Sequence, residues 1–448
     1  MATDQPTPPE PQRNRLKLKS KGFGWEVVTI AFSSFFQKTS YFFTSLILAR
    51  VLGPEGRGFV SALQVPTQLA VNLSEMGIRQ SAAFHIGRRI FPLERIVPTL
   101  LLMIPIAGGL GIGASLLYFD YVDIAQDDWL LQAIVVAAIP LSLAASYASG
   151  VFLGLQRIAA FRRTTWRPAL IRFLLVVLLC LVLNWGVRGA MLATLVAAAV
   201  GAIYALMLLS RDAAIRLGYD REVASKLQRR GLSYAASLFV LMLNYKIMIL
   251  LLTRFGTLTD VGLYAQATII AELIWQIPST MSSLLLSRGV NAKQEGEFSK
   301  KVLVLARISL LAAILAGAGV AIVAPYFFPL VFGPDFAGSA IICIILLPGV
   351  AAFIVFKILN TDLAGRGKPW ASMLVMLPVL AINILLGWWL VVRDGAIGAA
   401  WASSISYIVA TAAYIILYSR MTGIGLEEIV RYRRSDFTLL LSKLPIGR

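Results

Sequence analysis

Two lysines stand in the middle of long apolar segments of this chain. Lys38 lies 13 residues after Trp25 and 15 before Gly53, and Lys246 is comparably central in its own segment. A charge at the centre of a bilayer costs about 2.5–3.5 kcal/mol on insertion scales, so such residues usually face a partner or a water-filled cavity. An ammonium group held there can bind an anion. The two lysines are therefore the first candidates for a substrate-binding site.

Four further cations lie inside or at the ends of apolar segments. Arg172 and Lys357 are near enough to the ends of theirs to reach the membrane surface. Arg50 and Arg254 occupy matching places at the ends of the segments that contain the two lysines. Six residues thus form the candidate substrate-binding set: Lys38, Lys246, Arg50, Arg254, Arg172 and Lys357.

Two glutamates are candidates for proton coupling. Glu75 precedes Arg79 by four residues, the helical spacing that predicts a local salt bridge. Glu272 has no cation three or four residues away. It is therefore a candidate proton site or a counter-ion for Lys246. Neutralisation of the two central lysines by the two glutamates is the alternative to a cationic cavity.

Enzymatic chemistry has no support in the sequence. The single histidine, His85, falls in a predicted inner loop, where we expect it to be solvated. Cys180 and Cys343 both lie in hydrophobic runs, so no disulfide framework is implied. Phosphate-binding glycine loops, metal-ligand clusters and nucleophile arrangements are absent from the sequence. We expect no catalytic residue, no metal and no cofactor.

The elements that carry these charges are membrane-spanning helices. The chain has 448 residues, of which 58% are hydrophobic and only 14% charged, and runs of about 20 apolar residues recur throughout. This pattern predicts an all-α polytopic membrane protein of about twelve helices. The predicted spans are 25–50, 58–79, 96–118, 129–153, 167–184, 189–210, 231–253, 261–286, 302–324, 338–360, 369–391 and 397–418.

The positive charge is distributed unevenly between the predicted loops. With the N-terminus inside, the inner segments carry 32 Lys and Arg residues and the outer loops carry 5, which are Arg50, Arg57, Arg188, Arg254 and Arg393. Such a bias places both termini in the cytoplasm. The same bias explains the formal charge of +18 without a nucleic-acid partner. We expect membrane lipids to be the partners of these basic segments.

Two halves of the chain share a plan. Leu46, Arg50 and Gly58 recur 204 residues later as Leu250, Arg254 and Gly262. The repeat predicts two bundles of six helices. The predicted division is a disordered basic tail at 1–24, an N-terminal bundle at 25–210, a cytoplasmic linker at 211–230, a C-terminal bundle at 231–420 and an amphipathic basic tail at 421–448.

The segment ILARVLGPEGRGFVSAL, followed by MGIRQSAAFHIGRR, resembles the opening of the polysaccharide (O-antigen type) flippases of the multidrug/oligosaccharidyl-lipid/polysaccharide exporter superfamily. The resemblance implies two pseudo-symmetric six-helix bundles that form a V around a central cationic cavity. It implies transfer of undecaprenyl-pyrophosphate-linked oligosaccharide from the inner to the outer leaflet of the bacterial cytoplasmic membrane. Polymerases or glycosyltransferases of surface polysaccharide synthesis are then candidate partners.

Two alternatives stay open from the sequence. A drug/cation antiporter of the same superfamily would favour cationic substrates and conspicuous acidic residues, whereas cations outnumber acids in the spans here. A membrane polysaccharide polymerase or ligase would carry a large outer loop with catalytic residues. The longest predicted outer loops, 119–128 and 325–337, contain neither His nor Cys.

Overall fold

A computed structural model describes residues 23–213, 216, 218–276, 295–366, 368 and 370–432, without the side chains of 23–32, 34, 233 and 295–301. Almost all of the predicted N-terminal tail, and residues 433–448 of the predicted C-terminal tail, lie outside this part. Within it the elements are helices. They are α1 (Phe23–Glu75), α2 (Ile78–Gly87), α3 (Leu93–Tyr121), α4 (Trp129–Gly154), α5 (Ile158–Val176, continued by a π-helix at Val177–Val182), α6 (Gly186–Leu209), α7 (Arg221–Phe255), α8 (Leu258–Glu272, continued by a 3₁₀ turn at Leu273–Trp275), α9 (Glu295–Phe332), α10 (Gly338–Gly365, after a 3₁₀ turn at Pro334–Phe336), α11 (Ala371–Thr422) and α12 (Leu426–Val430).

Side chains at the helix starts satisfy amide groups that have no partner within the helix. The Asp128 carboxylate accepts from the Leu131 amide at the start of α4, and Asp220 caps α7 in the same way. Thr257 and Asp260 form a reciprocal capping box at the start of α8. These caps fix where three of the helices begin.

Two of the helices bend at a glycine. Gly53, with φ +66°, divides α1 into two arms, and Gly395, with φ +55°, divides α11. Only glycine adopts such angles readily, so the chain turns there without leaving the helix for more than one residue. Each bend separates two predicted spans.

Eight helices in the described part are long and apolar enough to cross a membrane. The chain is therefore a polytopic membrane protein, as the composition predicts. The total of twelve spans stays a prediction, since part of the chain is not described.

Two hydrophobic cores divide the molecule. One is built mainly from α1 to α6, and the other from α7 to α11. Helix α7 belongs to both, because Val223, Ala224 and Leu227 are buried in the first core and Met248 and Leu252 in the second. The halves meet where α1 packs against α7 and α8.

Candidate functional site

A polar cavity of about 280 Å³ lies between the two halves. Both arms of α1 form one wall with α5, and α7 and α8 form the other. Three cations and one carboxylate face it. The lining residues are Tyr41, Thr44, Ser45, Leu48, Arg57, Ser61, Gln64, Val65, Gln68, Arg172, Lys246, Ile249, Ala265, Thr268, Ile269 and Glu272.

Arg57 is the most deeply buried cation of the cavity, with 8% of its surface exposed. It lies four residues after the bend at Gly53, so the second arm of α1 carries it inward. Its Nη1 donates to Ser61 Oγ at 2.6 Å, and its Nη2 donates to Ser45 Oγ at 3.4 Å. Its buried Nε has no hydrogen-bond partner in the described part of the chain. Arg57 is thus held by hydroxyl groups rather than neutralised by a carboxylate.

Arg172 is positioned in a comparable way. Its Nη2 donates to Gln64 Oε1 at 3.1 Å, and Gln64 Nε2 donates in turn to Thr194 Oγ1 at 3.4 Å. Its Nε is also buried without a partner among the described residues. Each of these two guanidinium groups therefore has one N–H donor without a hydrogen-bond partner among the described residues.

Lys246 and Glu272 line the opposite wall. No ion pair joins them among the described residues, and one carboxylate oxygen of Glu272 is buried without a hydrogen-bond partner there. Glu75, the other predicted acid, pairs instead with Arg79 at 3.3 Å, as its spacing predicts. With one carboxylate against three cations, the ionisable groups lining the cavity carry a formal charge of +2.

A hydrogen bond joins the two halves beside the cavity. Ser45 Oγ donates to Gln266 Oε1 at 3.0 Å, and Gln266 is fully buried. Because Arg57 donates to the same hydroxyl, Ser45 links the buried arginine to α8.

Four members of the predicted set lie outside the lining of this cavity. Lys38 donates to the side-chain oxygen of Gln276 at the end of α8. Arg50 donates to the backbone oxygen of Val331 at 2.6 Å and to that of Leu330, at the C-terminal end of α9. Both residues thus tie the first arm of α1 to the other half.

The other two predicted cations contact aromatic rings. The Lys357 ammonium lies 3.6 Å from the ring centroid of Trp275, inside the second core. The Arg254 side chain is exposed and lies 5.2 Å from the ring centroid of Tyr121. The structure therefore brings together Lys246, Arg172 and Glu272 of the predicted residues, and adds Arg57.

Two positions require correction. The sequence interpretation places Arg57 in an outer loop, but α1 continues through this region and buries it, because only Gly53 departs from helical angles. It also places His85 in a solvated loop. His85 lies in α2 and is 5% exposed, with Nδ1 2.8 Å from the Ser81 backbone oxygen and its ring stacked on Phe91. The first error comes from reading the bend at Gly53 as a loop, and the second from reading the short helix α2 as part of a loop.

An apolar cavity of about 440 Å³ adjoins the polar one. It shares the walls α1 and α8, since Phe42 follows Tyr41 of the polar cavity and Leu273 follows Glu272. Helix α9 closes its other side. Its lining residues are Phe42, Ile270, Leu273, Ile274, Ala316, Gly319, Val320, Val323, Ala324, Phe327 and Phe328.

The described residues contain no group of three or more His, Cys, Asp or Glu side chains able to hold a metal ion. What the arrangement can do is bind an anion through guanidinium and ammonium donors, next to an apolar surface.

The family described as "Polysaccharide biosynthesis protein" matches residues 25–284. No curated protein sequence matches the chain. The fold is similar to an inward-facing multidrug resistance MATE family transporter of the MOP superfamily (17% identity, TM-score 0.72, 87% of this chain and 96% of that one). It is similar to the lipid II flippase MurJ in an inward closed conformation (13%, 0.74, 94% of each chain). A MOP superfamily transporter from Pyrococcus furiosus, described as having a binding pocket of reverse polarity, also matches (15%, 0.61, 90% and 96%).

Proposed function

This chain belongs to the polysaccharide biosynthesis protein family, and from that premise we propose that it moves an undecaprenyl-pyrophosphate-linked oligosaccharide across the cytoplasmic membrane. The direction is from the inner to the outer leaflet, for the assembly of a surface polysaccharide. The 32-to-5 distribution of Lys and Arg supports cytoplasmic termini for this transporter.

The observation that carries the proposal is the net charge of the polar cavity. Arg57, Arg172 and Lys246 face it with Glu272 as the single acid, a formal charge of +2. A diphosphate diester carries about two negative charges at neutral pH, so the cavity and the headgroup match in magnitude and sign. An isolated charge in hydrocarbon costs on the order of tens of kcal/mol in the continuum limit. A cationic cavity replaces that cost with ion pairing.

Specific donors support a phosphate ligand rather than a diffuse attraction. The Nε atoms of Arg57 and Arg172 are buried and lack partners in the described part of the chain. A guanidinium can offer two parallel N–H groups to phosphate oxygens, a geometry that a lysine cannot reproduce. We assign the diphosphate to these two arginines, with Lys246 completing the charge.

The adjoining apolar cavity supports a lipid-linked ligand. A polyprenyl chain beside Phe42 and Leu273 stays in contact with apolar side chains while its headgroup occupies the polar cavity. A free sugar nucleotide would make no use of such a surface.

A drug/cation antiporter remains the second candidate, and two observations favour it. The fold is shared with MATE transporters, and Glu272 carries an oxygen without a hydrogen-bond partner among the described residues. A lone carboxylate among three cations is nevertheless a poor site for a cationic drug.

The test is transfer in proteoliposomes that contain the purified protein. A fluorescent undecaprenyl-pyrophosphate saccharide should move between leaflets, and the corresponding polyprenyl monophosphate saccharide should move more slowly. A cationic dye serves as the competing substrate. Transport of the dye without transfer of either lipid would refute the flippase and support the antiporter.

A further inference from the structure

The Lys357 ammonium is held by aromatic rings rather than by oxygen atoms. Its Nζ lies 3.6 Å from the ring centroid of Trp275 and 5.2 Å from that of Tyr245. Within the described part of the chain it donates no hydrogen bond and forms no salt bridge. Aromatic ring faces attract an ammonium group electrostatically, and proteins recognise quaternary ammonium ligands in this way. The chain thus supplies its own ammonium group to an aromatic site.

Four aromatic rings in the second core form this site, which we call the aromatic box. Tyr245 comes from α7, Trp275 from the turn that continues α8, Phe353 from α10 and Tyr407 from α11. Every centroid-to-centroid distance among them lies between 4.9 and 6.3 Å. The Trp275 indole also donates to the backbone oxygen of Val350 at 2.8 Å. Packing from four helices and this hydrogen bond therefore position the rings.

The aromatic box borders the polar cavity. Tyr245 precedes the lining residue Lys246, and Trp275 lies three residues after the lining residue Glu272, about one helical turn away. Glu272 also attracts the Lys357 ammonium electrostatically. A carboxylate beside aromatic ring faces is a suitable environment for an organic ammonium ion. In this structure the side chain of Lys357 occupies that environment.

The first half lacks an equivalent of the aromatic box. Under the repeat of 204 residues, Tyr245 corresponds to Tyr41, but Trp275 corresponds to Val71. The shared fold of the two halves therefore does not require a tryptophan at this place. This difference favours a role for the ring beyond packing.

We propose that the aromatic box is a binding site for a small organic ammonium ion and that the Lys357 side chain keeps it filled. Lys357 is then the residue that excludes cationic ligands from the second half, while the polar cavity beside it accepts anions. Specificity of this kind depends on an element that opposes the wrong ligand as well as on contacts to the right one. The inference goes beyond the proposed function and its test uses no lipid substrate, so either can fail without the other.

The test is equilibrium binding of radiolabelled tetramethylammonium to the full-length protein in lipid nanodiscs, with thermal unfolding recorded for each variant. Lys357→Ala empties the aromatic box, and Lys357→Ser empties it with a polar replacement if the alanine variant does not fold. We expect either variant to bind tetramethylammonium at least about tenfold more tightly than wild type. Lys357→Arg keeps a cation in the aromatic box and should bind no more tightly than wild type.

A second substitution locates the gain in binding. Trp275→Leu or Tyr245→Leu in the Lys357→Ala background should remove most of the gain, because the ring faces supply the attraction. Lys226→Ala is the matched control, since Lys226 also lies over a ring, 5.1 Å from the centroid of Phe91, but is exposed and pairs with Glu222 at 2.8 Å. Three results would overturn the proposal: folded Lys357 variants that bind no more tightly than wild type, a gain that survives loss of the rings, or an equal gain in Lys226→Ala.

Discussion

Replacing Arg57 by glutamine separates a ligand-binding role from a structural one. The arginine is 8% exposed, donates to two serine hydroxyls and has no carboxylate partner in the described part of the chain. Arg172 lines the same cavity with the same sign of charge. Removing a buried cation that lacks a counter-ion relieves desolvation and like-charge repulsion, so Arg57→Gln should not lower the melting temperature.

The same substitution should strongly weaken binding of the ligand. The substitution reduces the formal cavity charge from +2 to +1. A hydrogen bond to a charged group contributes about 1.5–3 kcal/mol, and a loss of about 2 kcal/mol corresponds to roughly thirtyfold weaker binding. Arg57→Lys keeps the charge but loses the planar pair of donors, so it should recover only part of this loss.

The assay is binding of a short-chain polyprenyl diphosphate to the protein in lipid nanodiscs, with thermal unfolding recorded for each variant. Arg393→Gln is the matched control, since Arg393 is an exposed arginine that pairs with Asp394 at 3.1 Å, away from the cavity. Equal binding by wild type and Arg57→Gln would refute the anion site. A melting temperature that falls with Gln and returns with Lys, at unchanged affinity, would identify Arg57 as structural.

Four further outcomes are expected. Lys246→Ala should weaken diphosphate binding in the same assay more than Lys38→Ala does, because Lys246 lines the cavity whereas Lys38 hydrogen-bonds Gln276; equal losses would contradict this assignment. The rate of lipid transfer should follow an imposed potassium-diffusion potential, since moving about two negative charges out of a negative interior releases about 4–5 kcal/mol per 100 mV. A rate that depends on a proton gradient alone would favour antiport through Glu272. The Arg95 side chain, followed by the amide of Val223, holds the pKa of the Asp220 carboxyl below its usual value. The ionised Asp220 carboxylate therefore stabilises the folded protein above about pH 3.9, and this contribution is lost as the pH falls through the lower folded-state pKa. The difference in melting temperature between wild type and Asp220→Asn should vanish on acidification. A difference that stays constant with pH would contradict this prediction. Reporter fusions at Asp123 and Asp335 should give an outer signal, and fusions at Arg221 and Lys368 should give a cytoplasmic signal. A reversed signal at any of these positions would contradict the predicted topology.

The sequence predicts the helical membrane fold because apolar runs of this length have few other solutions. The sequence predicts less well which charged side chains line the same cavity. Lys38 and Lys246 look equivalent by depth along the chain, but only Lys246 reaches the cavity, since the direction of each side chain depends on how α1 and α7 are rotated in the packed bundle. Arg57 was missed because Gly53 and Pro54 suggest a loop. The available signal was the restart of the apolar pattern at Gly58, immediately after the arginine.

The internal repeat explains the position of the cavity and also the limits of the symmetry. Five pairs of residues 204 positions apart line it: Ser45 with Ile249, Ser61 with Ala265, Gln64 with Thr268, Val65 with Ile269 and Gln68 with Glu272. The positions are symmetric but the chemistry is not. Arg57 corresponds to Val261, and Lys246 corresponds to Phe42 of the apolar cavity. The duplicated fold thus creates a central space, and divergence of the two copies places the guanidinium donors on the N-terminal half. A diphosphate bound by these donors would therefore contact the N-terminal half more than the C-terminal half.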